Sequence, residues 1–371
     1  MRHVKSLDGL RAVAVLLVIL YHYGYLECGW IGVQVFFVLS GYLITNILLH
    51  DKKRSYGAYL KRFYWRRVLR IFPLYYGYLA LITVVFLAAG WPPILSRLWE
   101  SLYSYTYNFA RLARDDPGGL PFVHFWSLAI EEQFYVLWPT LVFLLPLRAF
   151  KRFIVALVFL APLFRFALAA WLGPRVHDPV YVGHAVNMVT TSHLDAFAWG
   201  GAVAVFGFHG IRNPLRIFRW ALAGAVTLGL VFLAWEARHG ISIPWSSLGY
   251  PNHPHRGLAE VWSYTVVNGV SALAVLSAVR GAPPARFLLS RVMMRIGKIS
   301  YGVYVFHLPM LGAVRKAIPA QANSPGGAAL FVGYLLVVVA VSELSFRLFE
   351  SRFLAWKGKF GETRPGEAAG E

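Results

Sequence analysis

The apolar run LDGLRAVAVLLVILYHYGY, Leu7 to Tyr25, carries Arg11 and His22. Ionisable groups in a run of this kind are costly, so by default they mark function. Eleven residues apart on an α-helix, the two differ by about 20° in direction and roughly 16 Å in height. One helix face thus holds a cation toward one end and an imidazole toward the other. Such an imidazole can serve as a general base toward a hydroxyl or as an acyl acceptor. The plainer alternative is a histidine that only packs against a neighbouring helix.

Other runs hold further candidates. In HFWSLAIEEQFYVLWP, the residues His124, Ser127, Glu131 and Tyr135 follow 3, 4 and 4 spacing and share a helix face. A carboxylate such as Glu131 near a histidine would orient it or stabilise its protonated form. Glu131 and Glu132 point about 100° apart, so both should not face one site easily. The plainer reading is a polar interfacial cap, with Trp126 and Tyr135 as anchors. Gln34, across the turn from His22, should sit at similar depth and could hydrogen-bond to it. Ser40 and Gly41 read as small residues for close helix approach; a serine nucleophile is disfavoured because no glycine precedes Ser40 by two residues. In GKISYGVYVFHLP, Tyr304 and His307 share a face with Ser300. Glu343 and Arg347 are four apart, in the favourable order for an ion pair. His193 and Asp195, two apart, point in different directions and need not be partners.

Residues 52–70, KKRSYGAYLKRFYWRRVLR, form a basic amphipathic segment with interleaved aromatics. Composition alone favours contact with anionic lipid. The sharper reading is an anion site for a phosphate-rich ligand at Arg66, Arg67 and Arg70. His239, His253 and His255 fit no known metal-ligand spacing, so no metal is expected.

The elements that position these residues follow from composition. Of 371 residues, 58% are hydrophobic and only 14% charged, with mean hydropathy +0.54. A soluble domain carries about 25% charged residues. The chain therefore reads as an all-α integral membrane protein in a lipid bilayer. About ten transmembrane helices are expected, near 10–26, 31–49, 73–90, 126–146, 153–172, 188–208, 216–236, 259–279, 297–316 and 328–349. The net charge is +19. With the N-terminus inside, 25 of the 36 Lys and Arg fall in inner segments and 8 in outer loops. That bias places both termini in the cytoplasm and explains the charge without nucleic acid. The loop 91–125 should be at most small irregular structure. No internal repeat of a transporter kind is evident. One cysteine, Cys28, excludes an internal disulfide. No cleavable signal peptide is apparent.

Taken together, LDGLRAVAVLLVILYH, GVQVFFVLSGYLI, RRVLRIFPLYY, HFWSLAIEEQFYVLWP and SYGVYVFHLP resemble, in order and over residues 5–353, the acyltransferase-3 family of integral membrane O-acyltransferases. The resemblance implies transfer of an acyl group, usually acetyl, from cytosolic acyl-CoA to a hydroxyl of an extracytoplasmic glycan or glycolipid. It implies a multi-pass protein of the inner (plasma) membrane. The essential Arg and His of the family fall on Arg11 and His22. The Trp-Ser-Leu-x-x-Glu block falls on Trp126, Ser127, Leu128 and Glu131, and the basic motif on Arg66, Arg67 and Arg70. The resemblance then implies His22, Arg11 and Glu131 as catalytic, His124, Ser127, Trp126, Gln34 and His307 in supporting or acceptor-side roles, and Arg66, Arg67 and Arg70 at the CoA phosphates. The expected layout is a transmembrane acyltransferase domain, 1–353, and a cytoplasmic tail, 354–371. Three positions depart from the family pattern. Gln34 stands where an acid is commoner, His193 where an Arg precedes Leu-Asp, and Glu350-Ser351-Arg352 where Glu-basic-Pro is usual. Two other classes are compatible with the same sequence: a transporter using the same buried polar groups, and a structural component of a glycan-export complex.

Overall fold

The computed structural model describes residues 4–90, 93–113, 121–176, 178–252, 258–283, 285–318 and 325–356. It is all-helical, with no strand among those residues. The first hairpin forms as its apolar pattern dictates. Helix α1 spans Lys5–Tyr23 and stops at Gly24, whose φ of 97° turns the chain and lets its N–H reach Leu20 O and Tyr21 O. A left-handed residue here suits glycine. A 3₁₀ turn, Glu27–Trp30, then leads into α2, Ile31–Asp51.

Helix α3, Tyr56–Ala88, is 33 residues long. Residues 56–70 of the basic segment are thus the first half of one helix about 50 Å long, continuous with the apolar half through Pro73. After it come α4 (Pro93–Tyr103) and α5 (Tyr107–Leu112). The described part of loop 91–125, expected to be at most small irregular structure, therefore holds two short helices. Tyr75 and Tyr76 of α3 donate to Leu102 O and Tyr103 O and tie them down.

Helix α6 (Phe125–Leu144) ends on free carbonyls, and Lys52 fills that role by donating to Val142 O at 2.7 Å and Leu145 O at 2.6 Å. A cation at a helix C-terminus also opposes the helix dipole. Helices α7 (Leu147–Val176) and α8 (Pro179–Met188) follow. Asp178 caps α8 through Tyr181 N, with Pro179 in the first turn where its missing N–H costs nothing. After a 3₁₀ turn, Thr190–His193, the chain continues as α9, Leu194–Phe206. The remaining helices are α10 (Pro214–Arg238), α11 (Ala259–Val279), α12 (Arg291–Lys298), α13 (Ser300–Ala317), α14 (Pro325–Ser345) and α15 (Ser351–Ala355).

Seven helices among the described residues are long and apolar enough to cross a bilayer: α1, α2 with its leading turn, α3, α7, α10, α11 and the run through α14 and α15. The other three expected spans are helical but different in kind. Helix α6 carries Glu131, Glu132 and Gln133 mid-run. The run 188–208 is not one helix: it breaks at 189–193, and α9 alone covers about 20 Å. Residues 297–316 are divided between α12 and α13 at Ile299. Non-helical backbone at membrane depth is tolerated where protein buries it; Ser192 and His193 of the break are fully buried, while Thr191 is exposed.

Helices α1, α2 and α11 form the centre, with 61%, 67% and 56% of their apolar windows buried, against 17% for α10 and 22% for α14. The outer helices turn residues such as Leu87, Phe159, Trp220 and Leu336 outward, as lipid-facing helices do. Helices α2 and α9 pack tightly because Gly41 and Gly200 let the backbones touch. A Cβ at Gly41 would meet Phe197 O, and one at Gly200 would meet Val38 O. That contact sets α9, and the break before it, against the face of α2 that carries Gln34.

Candidate functional site

The ends of α1 open on two different cavities. One, the outer cavity in the expected orientation, is lined by His22, His124, Trp30, Trp126, Tyr21, Arg111, His184, Asn187 and Asn252, among others, and spans about 730 Å³ of empty space, part of it open to solvent. The inner cavity is lined by Arg11, Arg67, Arg70, Ser40, Glu131, Glu132, Tyr135 and an apolar wall from α2. It encloses about 1060 Å³, part of it open to solvent. The helical spacing of Arg11 and His22 thus reads, in three dimensions, as one residue per cavity.

At the outer cavity, hydrogen bonding decides how His22 carries its proton. His22 Nδ1 lies 3.0 Å from Val18 O and 3.2 Å from His307 Nε2. His307 Nδ1 lies 2.6 Å from Tyr304 O. A carbonyl oxygen only accepts, so in the neutral rings both Nδ1 atoms hold hydrogen. His307 Nε2 is then bare and shares the His22 Nδ1 proton with Val18 O. His22 Nε2 is left as the basic nitrogen, assigned from the network. His124 packs its ring against His307, centroids 4.8 Å apart, and neither of its ring nitrogens has a hydrogen-bond partner among the described residues. Arg315 donates to His22 O at 3.0 Å and closes the α1 C-terminus.

At the inner cavity, Ser40 Oγ and Tyr135 Oη both donate to Glu131 Oε1. The Arg67 guanidinium sits 5.5 Å from the Tyr135 ring centroid, a cation–π distance. Arg70 donates to Lys298 O at 3.2 Å. Arg11 pairs with Asp8 at 2.9 Å, a partner the sequence reading did not single out. Three guanidinium groups, of Arg11, Arg67 and Arg70, and two carboxylates, of Glu131 and Glu132, thus line one cavity.

The two cavities share two wall residues, Val33 and Tyr304. Tyr304 Oη lies 2.5 Å from Ser127 Oγ and donates to His124 O at 3.1 Å. The partition is therefore clasped to the first turn of α6.

Several expected relationships come out differently. Gln34 does not bond to His22. Its Nε2 donates to His193 Nδ1 at 3.1 Å, and His193 Nε2 donates to Asn187 O at 2.9 Å. Gln34 faces α9 because the close α2–α9 contact brings the 3₁₀ turn to it. Glu131 does not orient His22; it belongs to the inner cluster, and His307 holds the imidazole instead. Glu131 and Glu132 both line the inner cavity, since a wide cavity admits side chains about 100° apart on one helix. Of the three basic residues, Arg67 and Arg70 line that cavity while Arg66 is not among its lining residues. Trp126 and His124 line the outer cavity and Ser127 the inner one. The expected Glu343–Arg347 pair forms, and Arg295 joins it at 2.5 Å. In keeping with their two-residue spacing His193 and Asp195 are not partners; Asp195 is held by Arg165 of α7 through two bonds of 2.9 and 2.8 Å, both side chains fully buried. His253, His255 and 357–371 of the tail lie outside the described residues.

Comparison with known proteins adds to this geometry. A family model described as an acyltransferase domain matches residues 4–345. The peptidoglycan O-acetyltransferase OatA of Listeria monocytogenes is 30% identical over 372 residues, covering 94% of this chain and 56% of that protein. A putative O-acetyltransferase of Staphylococcus aureus is 26% identical over 370 residues, 95% of this chain and 58% of the relative. The O-acetyltransferase OatA of Staphylococcus aureus is 26% identical over 378 residues, 94% and 57%. The chain thus spans a little over half the length of the curated relatives it matches. No solved structure matches it.

Proposed function

This chain belongs to the acyltransferase-3 family, and from that premise we propose that it moves an acyl group, acetyl first, from cytosolic acyl-CoA to a hydroxyl of an extracytoplasmic glycan. The observation that carries the reading is the pair of cavities back to back. One holds Arg11, Arg67 and Arg70; the other holds a basic imidazole nitrogen.

The CoA phosphates bind at the arginine cavity, where the guanidinium groups make charge-assisted bonds. The pantetheine arm runs along the apolar wall of α2 and brings the thioester to the partition. In the outer cavity, the faces of Trp30, Trp126 and Tyr21 offer surfaces on which a sugar ring can stack, and Asn187 and Asn252 offer amide partners. His22 Nε2 takes the proton of the acceptor hydroxyl as its oxygen attacks the acyl carbon. A C–O bond forms, the C–S bond breaks, and the departing CoA thiolate receives the proton. The imidazolium formed in between shares its Nδ1–H with His307 Nε2 and Val18 O. Peptidoglycan, the acceptor in one relative's name, is the first glycan to try.

The domain, residues 1–353, sits in the plasma membrane with ten passes and both termini cytoplasmic, α6, the broken α8–α9 segment and α12–α13 supplying the passes beyond seven. The tail from 354 is cytoplasmic.

The test is labelled acetyl transfer from acetyl-CoA to a glycan fraction by the protein in proteoliposomes. His22→Ala should abolish transfer while the protein stays inserted and monodisperse. Full transfer by that variant would overturn the mechanism.

A further inference from the structure

From the two residues common to both cavities, we infer that Val33 and Tyr304 form the aperture through which the acyl group passes, and that this aperture selects acyl length. The inference rests on the acyl-transfer reading above and says which part of the protein sets its donor range.

The geometry is specific. The thioester is delivered on the side of the arginines, and the basic nitrogen lies on the other side. The acyl carbon must come within hydrogen-bonding reach of a hydroxyl held by His22 Nε2. Among the described residues, only Val33 and Tyr304 line both spaces. Val33 lies in the first turn of α2, next to Gly32, whose backbone packs closely on Ala14 O of α1, and is 8% exposed. Its backbone is fixed by the contacts of that helix, so its side chain is a rigid edge. Tyr304 is 6% exposed and its ring can turn only if Oη leaves Ser127 and His124 O. Phe36 stands edge-on to it, centroids 6.3 Å apart, and continues the apolar wall on the inner side.

The two residues thus act differently. Val33 sets width. Tyr304 sets closure, keeping water of the outer cavity from the thioester until an acyl group displaces the ring. Water exclusion of this kind suppresses hydrolysis, a common side reaction of group transfer. An apolar constriction discriminates chain lengths by roughly 10- to 200-fold per methylene.

The experiment compares wild type, Val33→Ala, Val33→Leu and Tyr304→Phe in proteoliposomes with acetyl-, propionyl- and butyryl-CoA. Acylated glycan is read by mass spectrometry, and CoA released without acceptor by a thiol reagent. Val33→Ala should raise the butyryl-to-acetyl transfer ratio by about 10-fold. Val33→Leu should lower the propionyl-to-acetyl ratio. Tyr304→Phe keeps the ring but loses the clasp, and should raise CoA release without acceptor severalfold. Should the alanine variant fail to fold, the leucine and phenylalanine variants carry the same test. Unchanged ratios in folded Val33 variants, or wild-type CoA release in Tyr304→Phe, would overturn the aperture. Absence of transfer by wild type from every donor would instead overturn the acyl-transfer reading itself.

Discussion

Gln34 of α2 donates its amide N–H to His193 Nδ1 across 3.1 Å, joining two positions 159 apart in sequence. Both are departures from the family pattern, which more often has an acid at the first and an arginine at the second. The contact makes one neutral hydrogen-bonded pair of two positions where the resemblance implies an acid and an arginine. A neutral pair avoids the desolvation cost of two buried ions and still ties α2 to the break before α9.

Converting one member alone should harm the protein. Gln34→Glu places a carboxylate against the lone pair of His193 Nδ1. His193→Arg adds a buried cation close to Arg165. Each single variant should lower the melting temperature in detergent. The double variant should recover most of the loss, with a coupling of about 0.5–3 kcal/mol from a double-mutant cycle. Additive losses would mean that the two sites are independent.

His307 presents a different kind of dependence. It touches His22 and not the arginine cavity, so its role is to hold the imidazole in the Nδ1–H form. His307→Ala should lower kcat on the order of 10²-fold, with KM for acetyl-CoA nearly unchanged. His307→Gln can still offer an oxygen acceptor and should restore part of the rate. Equal losses in kcat and in acetyl-CoA affinity would point to a general packing defect instead.

The basic motif should divide by geometry. Arg67 and Arg70 line the inner cavity and Arg66 does not. Hydrogen bonds to charged groups contribute about 1.5–3 kcal/mol each, or roughly 10- to 100-fold in affinity. Arg67→Ala or Arg70→Ala should therefore raise the Kd for acetyl-CoA in that range, measured by calorimetry on purified protein. Arg66→Ala should change it by less than about 3-fold. A larger effect at Arg66 than at its neighbours would invert the assignment.

What the sequence made legible was what costs energy in an apolar run. Arg11, His22, His124 and His307 stand out there without any structure; the first three line the cavities and His307 backs His22. Helix periodicity gave the shared face of His124, Ser127, Glu131 and Tyr135, but a face does not say which cavity it meets; that depends on neighbours far away in sequence. The break at 189–193 was hidden because the run on either side is apolar and holds no proline or glycine at the break; only the cluster Thr190-Thr191-Ser192-His193 marks it. The partners Gln34–His193 and Arg165–Asp195 were illegible for the same reason: each joins helices that come together only through the α2–α9 and α7–α9 packing. Tyr304 was visible as a face residue, yet its place between two cavities exists only after α6 and α13 have met.

The Arg165–Asp195 pair gives a last prediction, one of stability rather than chemistry. Arg165 also donates to Ser192 O at 2.5 Å and to Thr265 Oγ1 at 2.9 Å, so one guanidinium ties α7 and α11 to the broken segment. Removing one partner leaves an uncompensated buried charge, which costs about 3–5 kcal/mol. Asp195→Ala should accordingly unfold the protein at much lower temperature and reduce its yield in membranes. Replacing both ions with apolar residues of similar volume, Arg165→Met with Asp195→Leu, is often close to neutral for a simple pair. Here it should still cost more than that, because Ser192 O and Thr265 lose their donor and the turn that presents His193 to Gln34 is released. A double variant as stable as wild type would show that the carbonyl and hydroxyl contacts contribute little, and that the packing of Gly41 against α9 is enough to hold the break.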